Sequence, residues 1–244
     1  MSNFRGFIRR AAAVALALVI SFAGSGAAAY AKTTGTTDSE KYNSYSYNYK
    51  VKDYSTTFTG TQTSIDVECY YETFSMSGSG KAVKRINKFF KNLAKGFNPE
   101  DILEYAEMYA DDQNAEDGMT YYDTNKAWVV YNDGKYISVT MDRYWYAGGV
   151  NNIFHDGYTF ALKIGKRASV TKITGLTMDQ IKEKIRDYIR DFGTMDELVT
   201  SYIDGLTATN INYYLTKDKQ CVLTFAPYTI GNGGQACELV IDLK

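Results

Sequence analysis

The sequence predicts an α+β fold, in which an antiparallel sheet with hairpins packs against about four helices. Segments in which every second residue is apolar stand on both sides of segments with helical spacing, which predicts strands before and after helices. The segment Asn132-Asp133-Gly134 is typical of a tight hairpin turn. The predicted strands are residues 64–75, 127–131, 137–141, 158–164, 211–215, 221–225 and 239–243.

The clearest helix is predicted over residues 81–96, where apolar residues recur at spacings of three and four. These apolar residues are Val83, Ile86, Phe90, Leu93 and Phe97. The remaining side of the helix is basic, through Lys81, Lys84, Arg85, Lys88, Lys91 and Lys95. That basic side indicates either a solvated helix face or a contact with an anionic ligand such as a wall polymer.

Three further helices have recognisable starts. Asn98 and Pro99 suit the beginning of a helix, with acidic residues in its first turn. Residues 177–180 and 194–197, which read TMDQ and TMDE, both fit the capping box. Gly193 suits the C-terminal cap of the helix between them.

The first 31 residues have the features of an export signal. Three arginines form a positive start, residues 11–23 are apolar, and Ala-Tyr-Ala at residues 29–31 fits a cleavage site. We therefore expect a mature protein that starts near Lys32, is secreted or held at the cell surface, and keeps no stable membrane span. The alternative is an uncleaved leader that stays as a membrane anchor.

Residues 32–59 are expected to form a flexible tail. They are rich in Thr, Ser, Tyr, Asn and Lys and lack periodic apolar spacing. Alternatively, the tyrosines at positions 42, 45, 47 and 49 add an edge strand to the sheet or stack on a polymer. The folded domain is then expected over residues 60–244.

Charge and composition argue against several function classes. Without the leader arginines the chain has 24 basic and 28 acidic side chains, and this net charge of −4 argues against a nucleic-acid partner. With 1 histidine in the chain, strong metal ligands are scarce, so we expect no metal and no cofactor. Export would permit one disulfide, but Cys221 and Cys237 would lie at opposite ends of a hairpin, which favours buried thiols.

The sequence from residue 144 to residue 173 is the most informative part for function. It predicts an aromatic strand end, a long Gly/Asn loop over residues 147–157, and a strand from Tyr158 that leads into a turn. Because consecutive strand residues point to opposite faces, at least one of Tyr144, Trp145 and Tyr146 is expected to pack inward.

Three segments of the chain together resemble one family. In chain order they read IDVECYYETFSMSGSGKAVKRINKFF, YAGGVNNIFHDGYTFALKIGKRASV and YLTKDKQCVLTFAPYTIGNGGQACELVI. Their order and spacing resemble the RsiV-like extracellular domain of unknown function 3298. The resemblance covers residues 60–244, with residues 60–118 as the usual N-terminal partner region and residues 119–244 as the C-terminal region. The family loop usually reads Gly-Gly-Ala-His, whereas Val150 and Asn151 follow the glycines here and His155 stands close by.

The resemblance implies a bacterial extracellular domain, which binds lysozyme in some anti-sigma factors and accompanies a polysaccharide deacetylase domain in other proteins. We therefore expect a non-catalytic binding module for an extracellular protein of the lysozyme type or a peptidoglycan-type wall polymer. An anti-sigma factor is not expected, because only about ten residues precede the apolar run of the leader. The alternative is a wall-polysaccharide-modifying hydrolase or its accessory domain, for which Asp142, His155, Asp156 and Ser169 are available without a recognisable catalytic motif.

The ligand is expected to bind around the predicted loop after the aromatic strand end, since loops held by strands are common binding positions. One of the two tyrosines would form an aromatic platform, and the asparagines and the histidine would be polar contacts. Tyr228, in the last of the three quoted segments, is expected near this loop because family members carry both segments. Alternatively, the glycines serve only a bend and this last tyrosine packs over the sheet edge. The expected ligand-binding residues are Tyr144, Tyr146, Asn151, Asn152, His155 and Tyr228, and none is expected to be catalytic.

Overall fold

The computed structural model describes residues 45–114, 116–191 and 195–243, which contain nine strands and five helices. The predicted leader and the first part of the predicted tail lie outside these residues, as do Gly193 and Thr194. No helix in the described ranges is both long enough and apolar enough to cross a bilayer.

Six strands form a large sheet in chain order. They are β1 (Tyr47–Thr59), β2 (Ser64–Met76), β3 (Thr120–Asn132), β4 (Tyr136–Ala147), β5 (Val150–Ala161) and β6 (Lys166–Arg167). All neighbouring strands run antiparallel except β2 and β3, which are parallel and are connected by two helices. The α+β prediction is confirmed, and the sheet is mixed where an antiparallel one was expected.

A second sheet has three antiparallel strands, β7 (Asn212–Leu215), β8 (Gln220–Phe225) and β9 (Cys237–Asp242). In the hairpin of β8 and β9, Cys221 lies opposite Ile241 and Cys237 lies opposite Phe225. Cys221 and Cys237 therefore sit at opposite ends of the hairpin. All three cysteines are free thiols, and Cys69 and Cys221 are buried while Cys237 is half-buried.

The five helices are α1 (Lys81–Ala94), α2 (Glu100–Ala110), α3 (Val170–Thr174), α4 (Met178–Arg190) and α5 (Glu197–Asp204). The predicted capping box at α4 is confirmed, because the Thr177 hydroxyl accepts from the Gln180 amide and the Gln180 side chain accepts from the Thr177 amide. At α5 the N-cap residue is Asp196, whose side chain accepts from the Val199 amide at 2.8 Å, while the first residue of the predicted box, Thr194, lies outside the described residues. The short helix α3 was not predicted.

One face of the large sheet, the inner face, is covered by α1 and α2. From α1, Phe90 packs edge-to-face on Phe74 with ring centroids 4.8 Å apart. From α2, Ile102 and Ala106 are fully buried with Tyr121 of β3 in the same core cluster. These aromatic and aliphatic contacts hold β2 to β5 from one side.

The opposite, outer face of the large sheet is covered at one end by the second sheet. The hydroxyl of Thr159 donates to the carbonyl of Tyr213 at 3.0 Å, and the amide of Leu215 donates to the Ser138 hydroxyl at 3.0 Å. At Gly157 a Cβ atom would lie 2.6 Å from the Tyr213 backbone, so the crossing needs glycine. The second sheet leaves the other end of the outer face uncovered.

The prediction of a flexible tail is wrong for the part of residues 32–59 that the structure describes. β1 pairs with β2 from Tyr47 to Thr59, along the whole length of the strand. The rings of Tyr47 and Tyr49 pack near the ring of Phe74, with 5.8 and 5.9 Å between ring centroids. β1 is an edge strand with one neighbouring strand, so many of its side chains face water and are polar. Because of these polar residues, its sequence resembles that of a flexible tail.

Candidate functional site

The hairpin of β4 and β5 replaces the predicted long loop. Ala147 pairs with Val150, so Gly148 and Gly149 alone form the turn. Their φ angles are +55° and +84°, and positive values at both positions are those of a type I′ hairpin turn. Asn151, Asn152 and His155 are consequently strand residues, and the prediction that they belong to a loop is wrong.

The uncovered part of the outer face presents aromatic side chains. The rings of Tyr144 and Tyr146 are parallel, with 6.4 Å between centroids and 1° between planes. Tyr144 lies opposite Ile153 on β5, and Tyr146 lies opposite Tyr122 on β3. Tyr144 and Ile153 each keep 37% of their surface exposed. The intervening Trp145 points to the inner face with 8% exposure, which confirms that one of the three aromatic residues packs inward.

A shallow depression of about 340 Å³ lies beside Tyr144. Its lining combines aromatic, aliphatic and charged side chains from three neighbouring strands. They are Thr124, Lys126, Trp128, Asp142, Arg143, Tyr144, Ile153, Phe154 and His155. This mixture offers a ring surface together with donors and acceptors, which suits a ligand with both apolar and polar faces.

His155 closes the depression toward the second sheet. Its Nδ1 atom is paired with Asp142 directly across the strands, and its Nε2 atom lies 3.3 Å from Glu238. That carboxylate also accepts from the Tyr214 hydroxyl at 2.9 Å. Burial lowers the pKa of His155, but the hydrogen bond to Asp142 and the charges of Asp142 and Glu238 outweigh it and raise the pKa above its usual value. His155 therefore keeps its proton to a higher pH than an isolated histidine does.

The two predicted asparagines separate, because successive strand residues point to opposite faces. Asn151 is exposed on the outer face opposite Tyr146. Asn152 lies opposite the inward-pointing Trp145, and its side-chain oxygen is buried without a hydrogen-bond partner among the described residues. The two asparagines therefore lie on opposite faces of the sheet, and their contact with a ligand stays a prediction.

Tyr228 lies near the β5 edge, as expected. Gly234, in the same turn, accepts from the Ile153 amide at 2.8 Å. A Cβ atom on Gly234 would stand 3.3 Å from the Tyr228 hydroxyl and 3.2 Å from the Asn152 side-chain oxygen. Tyr228 has a φ of +62° and is 46% exposed. A non-glycine residue in this conformation is strained and is held by its surroundings.

The inner face beneath the site fixes the strands through a buried ion pair. Arg143 donates twice to Asp123, at 2.8 and 2.7 Å, and the Tyr71 hydroxyl donates to the same carboxylate at 3.1 Å. The guanidinium also lies over the rings of Phe97 and Phe154. Asp123 is 1% exposed, so its charge depends on these partners.

The four residues of the hydrolase alternative do not form one group. Asp142 and His155 are paired on the outer face. Asp156 follows His155 in the strand and accepts from the Asn212 side chain at 2.9 Å instead. Ser169, at the start of α3, is hydrogen-bonded to Thr171 at 2.7 Å. Within the described ranges, no three His, Cys, Asp or Glu side chains are placed to hold a metal ion.

Several site residues were missed by the sequence analysis. Tyr122, Thr124 and Lys126 alternate along β3, and Ile153 alternates with Asn151 and His155 along β5. The adjacent glycines were themselves a signal, because two glycines between alternating segments are typical of a two-residue hairpin. With that turn, the pairing of β4 with β5 follows, and so does the position of Ile153 beside Tyr144.

The chain is similar to two solved structures described as DUF3298 family members. One is from Bacteroides fragilis, with 14% sequence identity, a TM-score of 0.42, and coverage of 80% of this chain and 90% of that chain. The other is from Pseudomonas aeruginosa, with 12% identity, a TM-score of 0.40, and coverage of 80% and 91%. No family model and no curated protein matches the chain. Both descriptions name the family that the sequence motifs resemble, while the RsiV-like subtype and its N-terminal partner region stay predictions.

Proposed function

We propose that this protein is a non-catalytic binding module, secreted or held at the cell surface. It binds a peptidoglycan-type wall polymer or an extracellular protein of the lysozyme type on the uncovered part of the outer face. The observation that carries this proposal is the pair of parallel rings of Tyr144 and Tyr146 beside the depression.

The aromatic pair supports binding because of how it is held. Tyrosine rings bring a large contact area at a low cost in side-chain entropy. Both rings project from a central strand that is paired on both sides, so the protein does not have to order a loop when a partner arrives. Ile153 extends the apolar surface of the pair.

The charged residues around the rings support a partner that also has polar groups. Lys126, Asp142 and His155 lie side by side on β3, β4 and β5, and all three line the depression. These groups provide an ammonium donor, a carboxylate acceptor and an imidazole within one surface. A glycan chain with hydroxyl and amide groups, or the rim of a protein interface, would match them.

A wall-polysaccharide-modifying hydrolase is the second candidate, and the pairing of His155 with Asp142 favours it. A carboxylate that orients an imidazole is the arrangement of a general base. Release of soluble fragments or acetate from purified wall material, lost in His155→Ala, would favour this candidate over the binding module.

The binding proposal is tested by co-sedimentation with insoluble peptidoglycan and by titration with lysozyme. We expect the wild-type protein to bind one of the two, and the double variant Tyr144→Ala/Tyr146→Ala to lose that binding. Tyr54→Ala is the matched control, because Tyr54 is 36% exposed on the edge strand of the same sheet. Equal binding by the double variant and the control would overturn the proposed site.

A further inference from the structure

The side of α1 that faces away from the sheet carries only positive charge. All six basic residues of this side are exposed, and among the described residues none of them has an ion-pair partner. They are Lys81, Lys84, Arg85, Lys88, Lys91 and Lys95. The guanidinium of Arg85 donates a hydrogen bond to the carbonyl of Ile164 at 2.8 Å.

The five lysines form one straight row. Their spacing along the chain is three, four, three and four residues, which places them on a single side of a helix. We call this row, Lys81, Lys84, Lys88, Lys91 and Lys95, the lysine stripe. Neighbouring positions in it are about 5–6 Å apart, and the row is about 20 Å long.

The helix α4 shows how another exposed helix side in this protein is built. Arg186 pairs with Asp204 at 2.8 Å, Arg190 pairs with Glu183 at 3.2 Å, and Arg190 also pairs with Asp187. The exposed side of α4 therefore mixes both signs of charge. By contrast, α1 has no acidic residue in its first turn and no acidic residue anywhere from Lys81 to Ala94.

The lysine stripe makes α1 less stable than a mixed surface would. Like charges three or four residues apart repel each other along the whole helix. Lys81 and Lys84 also lie near the N-terminal end, where the helix dipole disfavours positive charge. Lys91, in the last turn, is favoured by the dipole. Among the described residues no ion pair offsets the repulsion between the lysines, whereas an external anion would.

We propose that the lysine stripe binds a linear polyanion built of sugar or polyol units, with one phosphate or carboxylate per repeat. Lysine ammonium groups act as point charges and suit a regularly charged chain more than a single planar group. From Lys81 to Ala94 the large apolar side chains pack toward the core, with Val83, Ile86 and Phe90 buried. The stripe therefore lacks the exposed rings that stack nucleic-acid bases and the exposed apolar residues that enter a bilayer surface.

This site is separate from the aromatic pair. α1 covers the inner face of the large sheet, while Tyr144 and Tyr146 project from the outer face. The inference therefore does not rest on the proposed function, and variants at one surface leave the other unchanged.

Calorimetric titration with polygalacturonate and with poly(glycerol phosphate), over a range of salt concentrations, tests the proposal. The stripe variant is Lys84→Glu/Lys88→Glu/Lys91→Glu. The matched control is Lys172→Glu/Lys184→Glu/Lys217→Glu, which makes the same change in net charge at exposed positions elsewhere. We expect the stripe variant to bind at least one polymer about 100-fold more weakly than wild type at low salt. Its slope of log affinity against log salt should fall by about 2, because each engaged lysine contributes roughly 0.7.

The control variant and Tyr144→Ala/Tyr146→Ala should both bind the polymer as the wild-type protein does. The stripe variant should unfold at the same temperature as wild type or higher, so that lost binding is not lost folding. An equal loss in the stripe and control variants would overturn the proposal, as would a wild-type protein that binds neither polymer. Binding restricted to single-stranded oligonucleotides or to phosphatidylglycerol vesicles would also overturn it.

Discussion

The side chains of β3, β4 and β5 have different surroundings on the two faces of the large sheet. On the inner face, Asp123 and Trp145 are buried among partners that satisfy their charge or cover their rings. On the outer face, Tyr144 and Ile153 stay partly exposed although both are large apolar side chains. The alternation of side chains therefore places neighbouring residues of one strand in the core and on the exposed surface that we propose for binding.

This difference predicts how substitutions on the two faces behave. A change on the inner face should lower the free energy of unfolding, and it should affect binding only through unfolding. A change on the outer face should leave the free energy of unfolding nearly unchanged while it alters binding.

The largest expected effect is on the inner face, for Asp123→Asn. The substitution leaves the Arg143 guanidinium without its carboxylate partner, and breaking a buried pair in this way costs about 3–5 kcal/mol. Because the Arg143 side chain keeps 25% exposure, we expect the lower end of that range. Chemical denaturation measures the loss. Asp53→Asn, on an exposed part of β1, is the control, and equal unfolding curves for the two variants would contradict the role of the pair.

The next effect concerns the turn that joins the two central strands. Alanine at Gly148 or Gly149 adopts a left-handed backbone, which costs about 1–2 kcal/mol. At Gly148 the added Cβ would also lie 2.9 Å from the Tyr121 hydroxyl, whereas at Gly149 nothing lies within 4 Å. Thermal unfolding should therefore show a larger loss for Gly148→Ala than for Gly149→Ala, and the reverse order would refute this geometry.

A smaller effect is expected on the outer face, for Tyr144→Ala. The residue loses its cross-strand contact with Ile153, and such pairs contribute about 0.2–1 kcal/mol. Chemical denaturation should place the variant within that range of wild type. A loss as large as that of Asp123→Asn would mean that Tyr144 belongs to the core and is not free for a ligand.

The smallest effect is the dependence of stability on pH through His155. Its pKa is raised in the folded protein, so the stabilisation by its protonated form is complete below the unfolded value of about 6.5 and is lost as pH rises through the folded value. Because this is the single histidine of the chain, its NMR titration is unambiguous. His155→Gln should remove this part of the pH dependence, and a midpoint below the usual histidine value would show that Asp142 and Glu238 do not act on it.

The elements with strong periodicity were predictable from the sequence. The apolar spacing of Val83, Ile86 and Phe90 located α1, and the alternation from Ile65 to Cys69 located β2. Each of these segments buries one whole side, so its pattern is complete within the segment itself. The hairpin turn at Gly134 was predictable for the same reason, since its signal is local.

The candidate site was predictable only in part, because its strands are not buried on both sides. Residues from Asn151 to His155 lie in β5, but polar residues on the outer face weaken the alternation and resemble a loop. The pairing of β2 with β3 joins segments separated by two helices, and no local pattern specifies it. Tyr122 and Lys126 join the site through the pairing of β3 with β4, and the register of that pairing shifts between Val129 and Tyr131, which the local turn signal does not specify.

The most direct test of the proposed function is an NMR titration of the protein with soluble, uncharged glycan fragments of peptidoglycan and, separately, with lysozyme. We predict that one of the two partners shifts the backbone amides of Tyr122, Tyr144 and Ile153 in a saturable manner. The amides of α1 and α4 should stay unchanged, because they lie away from the uncovered outer face. Saturable shifts centred on any other surface, or no shifts with either partner, would contradict the assignment of binding to this face.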